Sequence, residues 1–259
     1  MSELVSADST TIGYDLVGSG PPIVLIDGAM CFRGSGPMNA LADELSVDFS
    51  VVTYDRRGRG ASADTRPYSV DKEVDDIAAL LEVVDESAIL FGMSSGGALA
   101  TLAASRLEVA GLIVYEPPYM PPAMRPSVSE SSARLAAALE KDDRDLAVAT
   151  FLERVGVPES VVAGMKQSPA WSGLTAIAPT LGYDDQVMAD MAVPTIAEQI
   201  AVPAFAIAGG ESPEALQWGA RQLAERIPDA AFMVLDGQGH DVATQPLAGA
   251  IRNFVHRAD

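Results

Sequence analysis

A serine flanked by small residues is the feature of the chain best suited to chemistry. Ser94 lies in the segment 92–97 (GMSSGG), which follows the apolar run Ala88–Phe91 and precedes the alanine-rich run Ala98–Ala104. Small neighbours permit a sharp strand-to-helix turn, in which the serine backbone is strained and its hydroxyl stands clear of the sheet. The N–H groups at the start of the following helix then face developing negative charge. We therefore predict that Ser94 is a catalytic nucleophile, and an ordinary glycine-rich turn is the alternative.

A serine nucleophile needs a general base, and histidine is the usual one. The chain contains two histidines. His256 lies three residues from the C-terminus, after a predicted final helix, and we expect it to be solvated. His240 lies in the segment 237–241 (GQGHD), directly after the apolar run Phe232–Leu235. A loop at the carboxyl end of a late strand can bring its imidazole to Ser94, so we predict that His240 is the base. A structural loop residue is the alternative.

These residues require strands and helices that alternate. Thr11–Val17 alternates loosely and predicts a strand that ends in a glycine-rich turn. Continuous apolar runs, typical of parallel strands buried on both faces, occur at Ile23–Ile26, Val51–Tyr54, Ala88–Phe91, Leu112–Tyr115, Phe205–Ala208 and Phe232–Leu235. The intervening pattern predicts helices over 70–84, capped by Ser69, and over 213–227, with Ser212 as the cap and Pro213 as the first helical residue. This alternation predicts an α/β protein with a doubly wound sheet.

One region lacks buried strands. Residues 119–199 contain only helix-like segments separated by proline and glycine, after an opening segment 117–122 (PPYMPP) that cannot be helix interior. Because about eighty residues is too long for a structureless loop in a compact domain, we predict a helical insertion. We expect its large side chains to fill a small core of their own, and some of them to face a ligand. These side chains are Met120, Met124, Met165, Met188, Met191, Trp171 and Tyr183.

The composition limits the partners of this chain. Hydrophobic residues make up 48% of the 259, and the formal net charge is -19, which disfavours nucleic acid and anionic lipid. One cysteine, Cys31, excludes a disulfide framework and a cysteine-based metal cluster. The N-terminal residues lack a signal-peptide pattern and no apolar stretch reaches eighteen residues. We expect a cytoplasmic protein that acts on a small molecule, with no cofactor, no metal, no nucleic acid and no membrane; no feature points to an oligomeric state.

The motifs resemble those of the α/β-hydrolase fold superfamily. Ser94 in its turn and His240 late in the chain match the family's order, and the segment 55–62 (DRRGRGAS) is similar to the Asp-x-Arg-Gly-x-Gly-x-Ser turn after the fourth strand of many members. The resemblance implies a doubly wound, mostly parallel eight-stranded sheet, with a helical cap inserted after strand six. Residues 1–118 and 200–259 would form the core and residues 119–199 the cap. We expect the arginines of the turn to be structural, with substrate binding as the alternative.

The resemblance also assigns an oxyanion hole. Many members have His-Gly after the third strand, whereas this chain has the segment 26–30 (IDGAM). The family's donor is the backbone N–H two residues beyond that histidine position, which corresponds to Ala29, and the second donor is the N–H of Ser95. Backbone donors do not depend on the side chain, so the hole can survive the change. Cys31 lies in the same loop and is expected to pack there.

The acid of the triad departs from the common pattern. The family usually places an aspartate shortly after strand seven, where this chain has Ser212. We predict that Glu116 is the catalytic acid, because it ends the sixth strand beside the strand that delivers Ser94. Some members of the family take the acid from this position. Glu211 is the alternative acid, and Asp241 adjoins His240 too closely along the chain.

These residues indicate a hydrolase that acts on an ester, lactone or related acyl group through a Ser-His-acid triad. The basic residues of the expected cap are scattered among acids, so we expect a small, largely uncharged substrate. The fold also hosts lyases, cyclases, cofactor-free haloperoxidases and enzymes that cleave carbon–carbon bonds, which form the first alternative. A small-molecule receptor with the same pocket is the second.

Overall fold

An eight-stranded sheet runs through the structure, a computed structural model that describes residues 2–84 and 87–258. The strands lie side by side in the order β1-β2-β4-β3-β5-β6-β7-β8. Strands β1 and β2 are antiparallel to their neighbours, and β3 to β8 run parallel. The strands are β1 (Ser2–Val5), β2 (Thr11–Gly18), β3 (Pro22–Ile26), β4 (Ser50–Tyr54), β5 (Ile89–Met93), β6 (Gly111–Tyr115), β7 (Ala204–Gly209) and β8 (Ala231–Leu235).

The two edges of the sheet differ from the sequence prediction. β1 was not predicted from its residues, because its side chains are mostly exposed and show no apolar pattern. β8 was predicted to be buried on both faces, and this is wrong: its residues are partly or fully exposed. The reason is that β8 pairs only with β7 and so forms an edge of the sheet. The central strands β3, β5, β6 and β7 are fully buried, as their apolar runs predict.

Helices cover both faces of the sheet. Alternate strand residues face opposite sides, so that Ile23 and Leu25 contact one layer and Val24 and Ile26 the other. The first layer contains α1 (Met38–Leu45) and the last helix α10 (Thr244–Ala258). The second contains α2 (Val70–Leu81), α3 (Ser95–Ala104) and α9 (Glu214–Arg226). This is the predicted doubly wound arrangement.

Two helix boundaries need correction. The Lys72 amide donates to Ser69 Oγ over 3.4 Å, as the predicted cap requires, but α2 ends at Leu81 rather than residue 84. The cap predicted at Ser212 is wrong, because the extended backbone of Pro213 delays the start of α9 to Glu214. Ser212 Oγ is buried and has no hydrogen-bond partner among the residues described.

A helical insert connects β6 to β7. In its described residues, 119–199, there is no β-strand. An apolar cluster of its own includes Leu135, Val148 and Trp171, and Ala29 and Met30 of the core pack against that cluster. The insert comprises α4 (Arg125–Glu140), α5 (Arg144–Arg154), α6 (Glu159–Met165), α7 (Trp171–Ile177), α8 (Leu181–Met188) and 3-10 turns at Ala178–Thr180 and Thr195–Gln199.

Most of the insert's large side chains are buried, but the prediction that they fill a core of the insert's own is only partly right. Trp171 belongs to the apolar cluster of the insert. Met188 and Met191 instead belong to the main core, in the layer that contains α2, α3 and α9. Tyr183 is buried and stacks on Tyr68 of the core, with ring centroids 3.8 Å apart. Met124 is an exception, since 44% of its surface is exposed.

Candidate active site

Ser94 occupies the turn between β5 and α3. Its backbone has φ 55° and ψ -130°, a conformation that is uncommon for a residue with a side chain. The Ser94 amide donates to the carbonyl of Tyr115 on the neighbouring strand β6 over 2.9 Å, which fixes the turn to the sheet. The residue itself is partly exposed. This is the strained strand-to-helix geometry that the motif predicts, and strain of this kind clusters at functional sites.

The glycines around Ser94 are required by close approaches of the backbone. A Cβ at Gly92 would lie 2.3 Å from the Gly96 carbonyl oxygen, and a Cβ at Gly96 would lie 2.3 Å from the Ile26 carbonyl oxygen. Neither position has room for a side chain. At Gly28 a Cβ would lie 3.0 Å from Ser94 Cβ, so the loop after β3 runs directly against the serine. The glycines therefore allow the end of β5, the start of α3 and the loop after β3 to pack closely around Ser94.

An acid–base pair lies, like Ser94, beyond the carboxyl ends of the parallel strands. His240 Nδ1 is 2.6 Å from Glu116 Oε2, and the other carboxylate oxygen accepts from the Gly209 amide over 2.7 Å. Glu116 is fully buried at the end of β6, whereas 37% of the His240 side chain is exposed. A carboxylate at Nδ1 fixes the tautomer that leaves Nε2 unprotonated and able to accept a proton. The pair has the composition and geometry of the acid and base of a triad.

Tyr115 holds the loop that carries His240. Its hydroxyl donates to the Gly239 carbonyl oxygen over 2.5 Å, and its ring centroid lies 6.4 Å from that of His240. Burial, with a smaller contribution from Glu116, raises the pKa of Tyr115, so the phenol stays protonated and remains a donor. Sequence reasoning missed this residue, because a tyrosine at the end of an apolar strand is indistinguishable from a core side chain.

The other candidate residues are exposed to solvent. Glu211 is exposed, and its recorded contact is a backbone one, from its amide to the Gln238 carbonyl oxygen over 2.8 Å. Asp241 and His256 are also exposed, the latter on α10. In the part of the chain that the structure describes, neither Glu211 nor Asp241 forms an ion pair or hydrogen bond with His240. The geometry therefore favours Glu116 over its rivals.

Two backbone N–H groups are available beside Ser94. Ala29 lies in the loop that follows Gly28, and Ser95 is the first residue of α3. Among the described residues neither amide has a hydrogen-bond acceptor. Unsatisfied donors at a helix start and an adjoining loop are suited to a developing oxyanion. The sequence prediction for the oxyanion hole is compatible with this arrangement.

The arginines of the 55–62 turn are buried ion-pair partners. Arg56, Arg57 and Arg59 are each at most 1% exposed. Arg56 donates to both carboxylate oxygens of Glu73 over 2.8 and 2.7 Å, and Arg57 donates to both of Asp76 over 2.7 Å. Bidentate pairs of this kind fix the planes of the guanidinium groups. These contacts agree with the expected structural role and leave the guanidinium groups inaccessible to substrate.

Asp27 is a buried carboxylate in the loop that follows β3. It is 1% exposed, and its Oδ1 has no hydrogen-bond partner within the described part of the chain. Burial raises the pKa of Asp27 to about 7, although Arg59 and Arg56 oppose the shift. Burial, together with the charge of Asp27, raises the pKa of the Cys31 thiol to about 12. The thiol therefore stays protonated, which agrees with the packing role expected for Cys31.

Comparison with known proteins identifies the class. A family model described as the alpha/beta hydrolase family matches residues 18–251, and this chain belongs to that family. The predicted fold class, with its eight-stranded mostly parallel sheet, is thereby confirmed. No helix in the described ranges is long and apolar enough to cross a membrane.

Individual relatives span several activities. A crystal structure of an α/β hydrolase from Sphaerobacter thermophilus is 40% identical, with a TM-score of 0.86 and coverage of 98% of this chain and 100% of that one. An enol-lactonase from Burkholderia xenovorans LB400 is 21% identical over 98% of this chain and 100% of its own, with a TM-score of 0.68, which shows a shared fold. A protein from Synechocystis, provisionally named a non-heme chloroperoxidase, is 33% identical over 116 residues. That match spans 42% of this chain and 42% of the relative's length.

Proposed function

We propose that this protein is a serine hydrolase that acts on an ester, lactone or related acyl group. The observation that carries the proposal is the 2.6 Å contact between the side chains of buried Glu116 and His240. Glu116 follows β6 and Ser94 follows the neighbouring strand β5, so both lie at the carboxyl end of the sheet. Membership of the alpha/beta hydrolase family supports it. The lactonase fold neighbour supports the substrate class, because a lactone is a cyclic ester.

The proposed mechanism follows from the roles of the side chains. Ser94 Oγ attacks the carbonyl carbon while His240 Nε2 accepts the hydroxyl proton, and Glu116 stabilises the imidazolium that forms. The amides of Ala29 and Ser95 stabilise the tetrahedral oxyanion. Collapse expels the alcohol, which takes the proton from His240. A water molecule, activated by the same base, then hydrolyses the acyl-enzyme and regenerates Ser94.

We further propose that residues 119–199 are a cap over a core formed by residues 1–118 and 200–259. The apolar cluster of the insert packs against Ala29 and Met30, next to the proposed oxyanion hole. Three of its arginines form ion pairs within the insert: Arg154 with Asp185, Arg134 with Glu153 and Arg144 with Asp142. An apolar wall with paired cations suits a small, largely uncharged substrate.

The Synechocystis relative gives specific support to a second candidate. That relative is 33% identical over 116 residues, and the second candidate is a haloperoxidase-like reaction at the same proposed triad. It differs from hydrolysis in the acceptor of the acyl group, which would be hydrogen peroxide rather than water; the peracid released would oxidise added halide to hypohalous acid and return to the carboxylic acid. Halogenation activity dependent on Ser94 and on added peroxide, in excess of ester turnover, would favour it.

A fluorophosphonate probe combined with a panel of p-nitrophenyl esters and lactones tests the proposed function. We expect stoichiometric labelling at Ser94, located by peptide mass spectrometry, together with turnover of short or medium acyl esters. Ser94→Ala is the control and should abolish both. Stoichiometric labelling without turnover of any acyl substrate would instead indicate a receptor with a hydrolase-like pocket. Unchanged turnover in Ser94→Ala would rule out the covalent mechanism.

A further inference from the structure

A carboxylate from the helical insert reaches the base of the turn that carries Ser94. Asp184 lies on α8 and is 4% exposed. It accepts hydrogen bonds from Ser95 Oγ over 2.8 Å, from Arg56 Nη1 over 2.7 Å and from Arg59 Nη2 over 2.7 Å. One side chain of the insert is thus bonded to the residue that follows the proposed nucleophile and to two arginines of the core.

The same two arginines hold the loop on the other side of the proposed oxyanion hole. Arg59 Nη1 donates to the Gly28 carbonyl oxygen over 2.6 Å and to the Cys31 carbonyl oxygen over 3.2 Å. Arg56 Nη1 is 3.4 Å from the Asp27 carbonyl oxygen. These carbonyls lie on both sides of residue 29 along the chain. Asp184 is therefore bonded directly to Ser95, which carries one proposed oxyanion donor. It is connected through Arg59 to the loop of Ala29, which carries the other.

The charges in this cluster are fixed. Burial by itself would raise the pKa of Asp184, but Arg59 and Arg56 outweigh it and hold the pKa of that carboxyl below its usual value. Arg56 keeps its own high pKa through Glu73 and Asp184. Asp184 and Arg56 therefore stay charged at neutral pH, and the effect of Asp184 on a reaction is geometric and electrostatic.

We propose that Asp184 is a positioning residue that sets the geometry of the oxyanion hole and makes it depend on the docked helical insert. This inference rests on the proposed function. Preorganised donors stabilise an oxyanion only when they are fixed at the correct distance, and small displacements of such groups reduce rates substantially. Without Asp184, Ser95 would lose its side-chain anchor, and Arg56 and Arg59 would lose a shared acceptor that sets their orientation.

Asp184→Asn and Ser95→Ala test the proposal from the two ends of one hydrogen bond. Asp184→Asn keeps the shape of the side chain and removes its charge. Ser95→Ala keeps the backbone N–H and removes only the anchor, so it remains informative if Asp184→Asn folds poorly. The matched control is Asp185→Asn on the same helix, because Asp185 pairs with Arg154 inside the insert.

The measurements are kcat and KM on an activated ester, corrected for the fraction of fluorophosphonate-titratable sites. They are paired with the inhibition constant of a trifluoromethyl ketone, which forms a tetrahedral oxyanion on the serine. We expect kcat to fall about tenfold to a hundredfold in Asp184→Asn, less than the loss caused by removing a donor outright, and about threefold to tenfold in Ser95→Ala. KM should stay within about twofold, and affinity for the ketone should fall in parallel with kcat/KM. Asp185→Asn should match the wild type in all three values.

Three results would overturn the inference. If Asp184→Asn and Ser95→Ala lower thermal stability but leave kcat and ketone affinity unchanged per titratable site, Asp184 has a structural role only and the proposed function stands. If the wild-type protein shows no turnover that depends on Ser94, the proposed function fails and this inference fails with it. A parallel loss in Asp185→Asn would also contradict it, since a general effect of the insert would then explain the data.

Discussion

Two buried carboxylates, Glu116 and Asp184, are bonded to different kinds of partner. Glu116, from the core, contacts the imidazole of His240, which is partly exposed and can carry a proton. Asp184, from the insert, contacts two buried arginines and a hydroxyl. Neither carboxylate is accessible to substrate. The chemical role open to each carboxylate therefore depends on the group it is bonded to, and not on its burial.

This comparison separates chemistry from positioning. A carboxylate bonded to a histidine changes the energy of a proton transfer, because the histidine changes charge during the reaction. A carboxylate bonded to arginines faces charges that stay constant, so it contributes geometry and a fixed electrostatic field rather than a proton transfer. The two should therefore respond differently to substitution, although both are buried and both lie near the same serine.

The largest expected effect follows loss of the nucleophile or base. We predict that Ser94→Ala and His240→Ala each lower kcat by about ten-thousand-fold or more, with similar values because the two act as one unit. Steady-state rates on a p-nitrophenyl ester measure this. His256→Ala on α10 is the control and should leave kcat unchanged. A large loss of kcat in this variant would show that the general base has been assigned to the wrong histidine.

Glu116→Gln should have the next largest effect. The amide is nearly isosteric but presents an N–H or a neutral oxygen to His240 Nδ1, so the imidazolium loses its stabilising charge, and we predict a fall in kcat of about a thousandfold to ten-thousand-fold. Glu211→Gln is the matched control, since it makes the same chemical change in an exposed side chain. Retention of most activity in Glu116→Gln, with collapse in Glu211→Gln, would show that the acid has been assigned to the wrong residue.

Tyr115→Phe tests how firmly the chemical side of the site is held. The variant removes the hydroxyl that anchors the Gly239 carbonyl and keeps the ring. A hydrogen bond of this kind contributes about 1 kcal/mol, so we predict a fall in kcat of about fivefold with KM unchanged. An unchanged kcat would show that the loop carrying His240 is held by its other contacts.

Asp27 is a third buried carboxylate, and its Oδ1 has no hydrogen-bond partner among the described residues. Its pKa of about 7 lies above the ordinary 3.8, so the folded state favours the protonated form. Its contribution to stability is therefore complete below about pH 4 and is lost as the pH rises through about 7. A shift of about three pKa units corresponds to at most about 4 kcal/mol.

We therefore predict that Asp27→Asn gains stability relative to the wild type as the pH rises. The difference in the free energy of unfolding should grow by about 2–4 kcal/mol between pH 4.5 and pH 8. Urea unfolding at both pH values measures it, and contributions from the other carboxylates cancel in the comparison. A difference that is the same at both pH values would mean that Asp27 does not titrate in this range.

The comparison also shows what the sequence could predict. The turn around Ser94 is predictable because close backbone contacts require its glycines. The strands β3, β5, β6 and β7 are predictable because burial on both faces leaves a continuous apolar pattern. The prediction of Glu116 depended on knowing that β6 lies beside β5 in the sheet. That order is a property of the fold family rather than of local residues.

Asp184 and Tyr115 could not be predicted from the sequence. Asp184 is 89 residues from Ser95 along the chain, and one aspartate in an acidic helix carries no local signal. Its role becomes visible only when the insert docks on α3. Ser212 was misassigned as a helix cap because the pattern Ser-Pro fits a helix start, whereas the extended backbone of Pro213 moves the start by one residue.

The division of roles between the two carboxylates is tested most directly in a His240→Ala background. Without the imidazole, the residual rate above the uncatalysed reaction comes from the oxyanion hole and from substrate binding. We predict that adding Glu116→Gln leaves this residual kcat/KM unchanged within about twofold, because its partner is already gone. Adding Asp184→Asn should lower it about tenfold or more, as in the wild-type background. A further loss with Glu116→Gln and none with Asp184→Asn would contradict the account.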